Sequence, residues 1–482
     1  MKRKWIALLM TGSLLIGAGG TYVGVQWAEA GEDHVGFGIE KNDDDQPNVL
    51  STKGLDKVEQ AYSLILSSYV EKVEEEKLIE GAIQGMLTTL EDPYSVYMDA
   101  ETAKQFNETL ESSFEGIGAE VSMVNNKIVI VSPFKDSPAE KAGLKPNDQI
   151  LKVDGESVEG LDLYEATMKI RGEKGTKVEL EIARQGLKEP LTIEVKRDEI
   201  PQITVHADMK QHAGEKIGYL EITSFSEETA KEFSKELTQL ENKGLEGLVI
   251  DVRGNPGGFL TSVQDILREL VPDKKPLYQI EERDGERTRY FSALKKAKEY
   301  PIVVLTDKGS ASASEILAGA LKEAGGYPVV GEKTFGKGTV QQAVPMGDGS
   351  NIKLTLFKWL TPDGNWIHKQ GIEPTVPVEQ PSIYHTHPIQ AEKALKLDMN
   401  NEQVKNAQEI LEGIGYEPGR RDGYFSDKTE MAVKAFQRKQ NLKVTGIIDG
   451  DTATALEEAA REEMRKEAND AQLQTAIKLL VR

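Results

Sequence analysis

Cysteine is absent from the chain. That removes a thiol nucleophile, disulfides and any zinc site built on thiolates. Cations are in deficit: 59 Lys and Arg stand against 80 Asp and Glu, a formal charge of −21 over 482 residues. No surplus is left to neutralise phosphates, so nucleic-acid binding is excluded. Histidine is scarce, with six scattered residues. None stands with Asp or Glu at metal-ligand spacing, so no metal is expected, and nothing calls for another cofactor. Long apolar stretches are confined to one place. Met1-Lys2-Arg3-Lys4 precedes an apolar run from Trp5 to about Trp27. Ala28-Glu29-Ala30 fits signal-peptide cleavage, while the length of the run fits a retained anchor, so residues 1–30 read as either one. The positive flank places the rest of the chain outside the cytoplasm, secreted or anchored to the membrane. Residues 31–50 read as a tether.

The remaining chain is too long for one core, and its periodicity changes several times. Over 51–110 apolar residues recur at helical spacing, from Leu55, Val58, Ala61 and Tyr62 to Ile83, Met86, Leu87 and Leu90, before Pro93. This helical pair reads as an arm for self-association or as a cap. Over 111–190 the period becomes two, with strands such as Lys127–Val131 and Val178–Ile182. Over 191–380 strands and helices alternate, the α/β pattern. The proline-containing stretch 375–395 reads as a linker. Residues 396–482 return to helix and end in a strongly charged helical stretch.

Three segments can carry chemistry. In Gly309-Ser310-Ala311-Ser312-Ala313-Ser314-Glu315, Ser312 follows the buried strand Ile302–Leu305 and opens a helix. Ser312 and Glu315 match a capping box, which is the ordinary explanation. The same turn would also set a serine at the carboxyl edge of a sheet, where open α/β sheets bind ligands. Gly-x-Ser-x-Gly is absent, which speaks against an α/β-hydrolase elbow. With no informative histidine, the base would be a lysine, and the candidate is Lys337 in Thr334-Phe335-Gly336-Lys337-Gly338. Gly336 and Gly338 let the backbone lie close to something, and Phe335 can supply an apolar wall. If 337–341 is extended, Gln341 points to the same face as Lys337 and orients the amine. Gly331 to Lys337 nearly matches a phosphate-binding loop, but Gly338 stands where Ser or Thr is needed and a strand follows, so nucleotide binding is rejected. The third segment, Asp251-Val252-Arg253-Gly254-Asn255-Pro256-Gly257-Gly258, is a βα turn whose glycines can present backbone N–H groups as an oxyanion hole does.

Together these segments resemble the carboxyl-terminal processing peptidases, serine proteases of the S41 type, over about residues 55–375. The resemblance implies that Ser312 is the nucleophile, Lys337 the general base and Gln341 the residue that orients the lysine. It implies oxyanion donors at Ala313 and at Gly257 or Gly258. The same resemblance makes 111–190 a PDZ domain, with Gly116, Ile117 and Gly118 in a carboxylate-binding loop and the helix Leu161–Ile170 closing the groove. Arg171, which follows that helix, would couple peptide occupancy to the protease site, or is simply a cation at a helix C-terminus. Residues 396–482 resemble a peptidoglycan-binding domain of three helices, through Gly415-Tyr416, Asp422-Gly423, Phe436-Gln437 and Asp449 among others; docking or dimerisation is the rival role. The implied fold is multidomain α/β, with a helical N-terminal arm, a β-rich PDZ domain, a crotonase-like α/β protease core and a small helical C-terminal domain. The implied activity is that of an exported endopeptidase, homodimeric, acting on protein or peptide substrates with free C-termini and possessing a wall-binding module. Within the family the domain order most resembles the sporulation-linked members of Gram-positive spore formers, which implies proteolysis in sporulation signalling.

Overall fold

A computed structural model describes residues 55–481, except 111, 125, 185–186, 188 and 390–392. The expected export segment and tether, residues 1–50, lie outside the described residues. Among the described residues no helix is long and apolar enough to cross a membrane.

The chain forms two compact units. Of the described residues, the first comprises 55–203 with 226–229 and 340–356. Its helical run is broken in two, Leu55–Ser68 and Glu75–Thr88, and neither helix buries a residue. Their apolar stripes stay open to solvent: Leu64 is 65% exposed and Met86 56%. Tyr62, Leu66, Leu78, Ile83 and Leu87 are half-buried. The expected β-rich segment is an antiparallel sheet in the order 119–124, 127–133, 149–153, 177–183 and 191–196. Its strands alternate inward and outward, and Ile130, Ile150, Val178, Leu180 and Ile182 form the core. The helix Leu163–Ile170 starts in a capping box made by Asp162 and Glu165.

The second unit holds a six-stranded sheet in the order 205–212, 215–222, 247–251, 302–306, 329–331 and 376–377. Its first pair is antiparallel, and all later neighbours are parallel. Gly247–Asp251 and Ile302–Thr306 are buried at every residue, as expected for parallel strands covered on both faces. The stretch read as a linker contributes an edge strand, Val376–Pro377, and buries Ile383 and Ile389 in a helical module. That module packs helices Glu402–Gly413, Asp427–Lys439 and Gly450–Met464 around Leu411, Phe425, Val433, Phe436 and Leu456.

The charged stretch at 453–481 is not one helix. It breaks at Arg465–Asp470, and a separate helix Ala471–Leu480 leaves the helical module. Leu473, Ala476, Ile477 and Leu480 cover one face of the parallel sheet, against Ile217, Val249, Val303, Leu305 and Val330. Asp470 caps this helix and also receives two hydrogen bonds from Arg253, at 2.9 and 2.8 Å. Arg253 bonds Asp251 as well, at 2.6 to 3.0 Å, so one guanidinium clips the helix start to the end of a central strand. Burial pushes the Asp470 carboxyl up, but Arg253 outweighs burial and holds it below its ordinary value. A depressed carboxyl contributes stability above its unfolded pKa, about 3.9, and that contribution is lost as pH falls through the lower folded value. Arg253→Ala removes the cation shared by buried Asp251 and half-buried Asp470. It should cost about 3–5 kcal/mol, read as a lowered denaturation midpoint at neutral pH, and the deficit should shrink below pH ~4 as the stability tied to ionised Asp470 is lost.

Candidate active site

The turns that follow the parallel strands 247–251, 302–306 and 329–331 all lie at the carboxyl edge of the sheet. They carry the oxyanion candidates, Ser312 and Lys337 in turn. The first two turns are stitched together by buried polar groups. Ser310 Oγ donates to the Val252 carbonyl at 2.8 Å, Ser314 Oγ to the Asn255 carbonyl at 2.9 Å, and the Ala311 N–H to that same carbonyl at 3.0 Å. Ser310, Ser314 and Asn255 are fully buried. The three serines of the motif therefore divide: two fasten the turns, and Ser312 alone is partly open to solvent.

Ser312 sits at φ 54° and ψ −113°, directly before the helix Ala313–Glu323. An ordinary N-cap residue is extended, so a non-glycine residue held at positive φ is a strained placement of the kind found at functional turns. The capping-box reading is met on the Glu315 side, whose carboxylate accepts the Ser312 N–H at 2.9 Å.

The two oxyanion glycines separate. Gly257 is buried and donates its N–H to Asn255 Oδ1 at 2.8 Å. Gly258 is exposed. Its parallel bridge to Phe225 uses the neighbouring Gly257 carbonyl and Phe259 N–H, so its own N–H points away from that bridge. Neither position admits a side chain. A Cβ on Gly257 would meet Ser312 Cβ at 2.8 Å, and one on Gly258 would meet the Phe225 carbonyl oxygen at 2.1 Å. Ala313, at the first position of its helix, has its N–H at the positive end of the dipole.

Lys337 is partly exposed, in a loop held from several sides. Its carbonyl accepts from Trp359 Nε1 at 2.8 Å, and the next carbonyl, of Gly338, from Trp366 Nε1 at 2.7 Å. A Cβ on Gly338 would meet the His368 amide nitrogen at 2.7 Å, the close approach expected of this glycine. Phe335 does not form the expected wall: it is 56% exposed. Glu315 closes the loop from inside, with its carboxylate accepting from Thr334 Oγ1 at 2.6 Å, the Gly336 N–H at 2.7 Å and the Lys337 N–H at 2.7 Å. The extended run assumed for 337–341 begins only at Thr339. Gln341, in the first unit, donates from Nε2 to Thr355 Oγ1 at 3.3 Å, which turns its amide nitrogen toward the neighbouring strand.

Gly116 ends strand Ser113–Gly116, and Ile117 and Gly118 link it to strand Ala119–Val124, which is at an edge of its sheet. Arg171 is not the cation that serves the helix C-terminus. That part belongs to buried Arg197, which donates to the Ile170 carbonyl at 2.8 Å and the Lys169 carbonyl at 3.2 Å. The Arg171 guanidinium instead lies 4.6 Å from the centroid of Phe114, beside Gly116.

Comparison with known proteins agrees with this layout. Peptidase family S41 matches residues 216–378, a PDZ domain 116–196, a peptidoglycan binding domain 400–456, and the activating protease CtpB N-terminal domain 14–102. The chain is similar to the carboxy-terminal processing protease CtpB of Bacillus subtilis, 56% identical over 480 residues that cover 100% of this chain and 99% of that protein. It is similar to CtpA of the same organism, 45% identical over 88% of this chain and 90% of the other. Among solved structures, the photosystem II D1 C-terminal processing protease is 30% identical, covering 67% of this chain and 86% of that one with a TM-score of 0.43.

Proposed function

Because the chain belongs to the carboxy-terminal processing serine proteases of peptidase family S41, we propose that it works through a Ser312–Lys337 dyad. Ser312 Oγ attacks the scissile carbonyl while Lys337, neutral at rest, takes its proton. The N–H groups of Gly258 and Ala313 receive the oxyanion, Gly257 being committed to Asn255. Lys337 then returns the proton to the leaving amine. Water repeats the sequence on the acyl-enzyme, giving a carboxylate and regenerated serine. The conformation of Ser312 carries this reading: a positive φ at the mouth of a helix N-terminus, one residue before Ala313.

The PDZ domain supplies substrate choice. Successive N–H groups of Gly116, Ile117 and Gly118 suit a terminal carboxylate, and the open edge of Ala119–Val124 suits β-augmentation by a substrate tail. Arg171, stacked on Phe114 at the start of that loop, is proposed to make turnover depend on tail occupancy. The peptidoglycan-binding module and the likeness to CtpB support work outside the cytoplasm, at the cell wall. The domain order supports a part in sporulation.

The decisive experiment incubates wild type and Ser312→Ala with an unfolded protein bearing a free C-terminus. Equal cleavage by the two would remove the assignment. The unburied helical pair supports a homodimer built on 55–88. Light scattering should give a dimer for wild type and a monomer for Leu64→Asp with Met86→Asp, and a dimer that survives both changes would place the interface elsewhere.

A further inference from the structure

Glu315 does more than a helix cap requires. A cap needs one acceptor for one N–H at the mouth of the helix. Glu315 is fully buried and collects four donors: the Ser312 N–H from its own turn, and Thr334 Oγ1, the Gly336 N–H and the Lys337 N–H from a loop about twenty residues on. Burial pushes its carboxyl pKa up, and these hydrogen bonds pull against burial. A carboxylate in such a place is costly to bury, and these four hydrogen bonds offset part of that cost.

The pattern of sharing is specific. Oε1 holds Thr334 and Gly336, and Oε2 accepts from Ser312 at 2.9 Å and from Lys337 at 2.7 Å. One oxygen atom therefore stands between the main chain of the nucleophile and the main chain of the base. The architecture explains how. Position N3 of a helix directs its side chain back over the first turn, and the strand 329–331 lies beside 302–306, so both turns leave the sheet at one edge.

We propose that Glu315 is the positioning residue of the dyad, fixing the lysine loop against the serine turn and so the path along which the proton moves. This rests on the Ser312–Lys337 reading and adds to it a residue that touches no substrate. Misplacement of a reacting group by about 1 Å costs about 100-fold in rate, so a short, rigid tether between the two turns matters.

Glu315→Gln keeps the shape. Its amide NH2 cannot accept, and whichever way it turns it meets an N–H donor, those of Ser312 and Lys337 on one side or that of Gly336 on the other. The expected result is a kcat lowered 10- to 100-fold with KM within threefold. Labelling of Ser312 by a fluorophosphonate should slow by a similar factor yet still reach one equivalent. A merely structural role would instead lower the labelled fraction and leave the labelling rate of that fraction at the wild-type value, and that result would overturn the proposal, as would unchanged kcat. If Glu315→Gln does not fold, Thr334→Val decides: it removes one donor from Oε1 and should slow labelling several-fold at full end point, and an unchanged rate counts against the tether. Ser312→Ala and Lys337→Ala run alongside. Activity in either of those sinks the dyad reading and the tether with it, whereas two inactive controls beside a wild-type rate for Glu315→Gln sink the tether alone.

Discussion

Ser312→Ala should lower turnover on an unfolded substrate by at least about 10⁴-fold while leaving the fold intact. The change removes only a hydroxyl. The backbone around it is held by neighbours: Ser310 and Ser314 fasten the two turns, and Glu315 holds the Ser312 N–H. Ala at the same φ of 54° carries about the same strain as Ser, so stability should change little. Without an oxygen no acyl-enzyme can form, and what persists is the stabilisation of a water-derived oxyanion by Gly258 and Ala313. Binding of a C-terminal peptide to the PDZ domain should be unaffected, which separates loss of chemistry from loss of recognition. The assay is single-turnover cleavage followed by mass spectrometry. Turnover within tenfold of wild type would mean that the nucleophile is elsewhere.

Lys337→Arg should be almost as severe, with a loss of about 10³-fold or more. The substitution puts a permanent cation at the same place, so a role that needed only positive charge would survive it. A proton-accepting role would not, because guanidinium stays protonated. The loop should tolerate the change, since its fixed points are main-chain atoms: the Lys337 carbonyl on Trp359, its N–H on Glu315 and the Gly338 carbonyl on Trp366. Serine and base act as one unit, so the double variant with Ser312→Ala should be no slower than Ser312→Ala alone. A fluorophosphonate labelling rate for Lys337→Arg near wild type would remove lysine as the base.

Much of this is legible in the chain, and the boundary between what is and is not has a physical cause. Ser312 and Lys337 stand out because each sits in a run of small residues whose only local purpose is tight turning. The α/β alternation is equally plain, since the strands at 247–251 and 302–306 are unbroken apolar runs. The oxyanion glycine is ambiguous until the Asn255 side chain is seen to take the Gly257 N–H, a contact that no spacing reveals. Glu315 is visible only as a cap, because its other three donors lie some twenty residues away. Arg253 and Asp470, 217 positions apart, leave no pattern at all. The charged tail looks like one helix because its polar face masks the four apolar residues, Leu473, Ala476, Ile477 and Leu480, that cover the sheet. Arg171 stands beside a helix end in sequence, and its true neighbour, Phe114, comes from the opposite end of the domain.

The helix Ala471–Leu480 also imposes an order in time. The strands it shields are complete by residue 331, yet their apolar face stays bare until some 140 further residues have been made and delivered. Contacts so distant along a chain are slow to form, because a long loop must close first. A partly synthesised polypeptide therefore carries an unsealed sheet, with Arg253 still lacking Asp470. Closing that face is therefore a late event in the folding of the second unit.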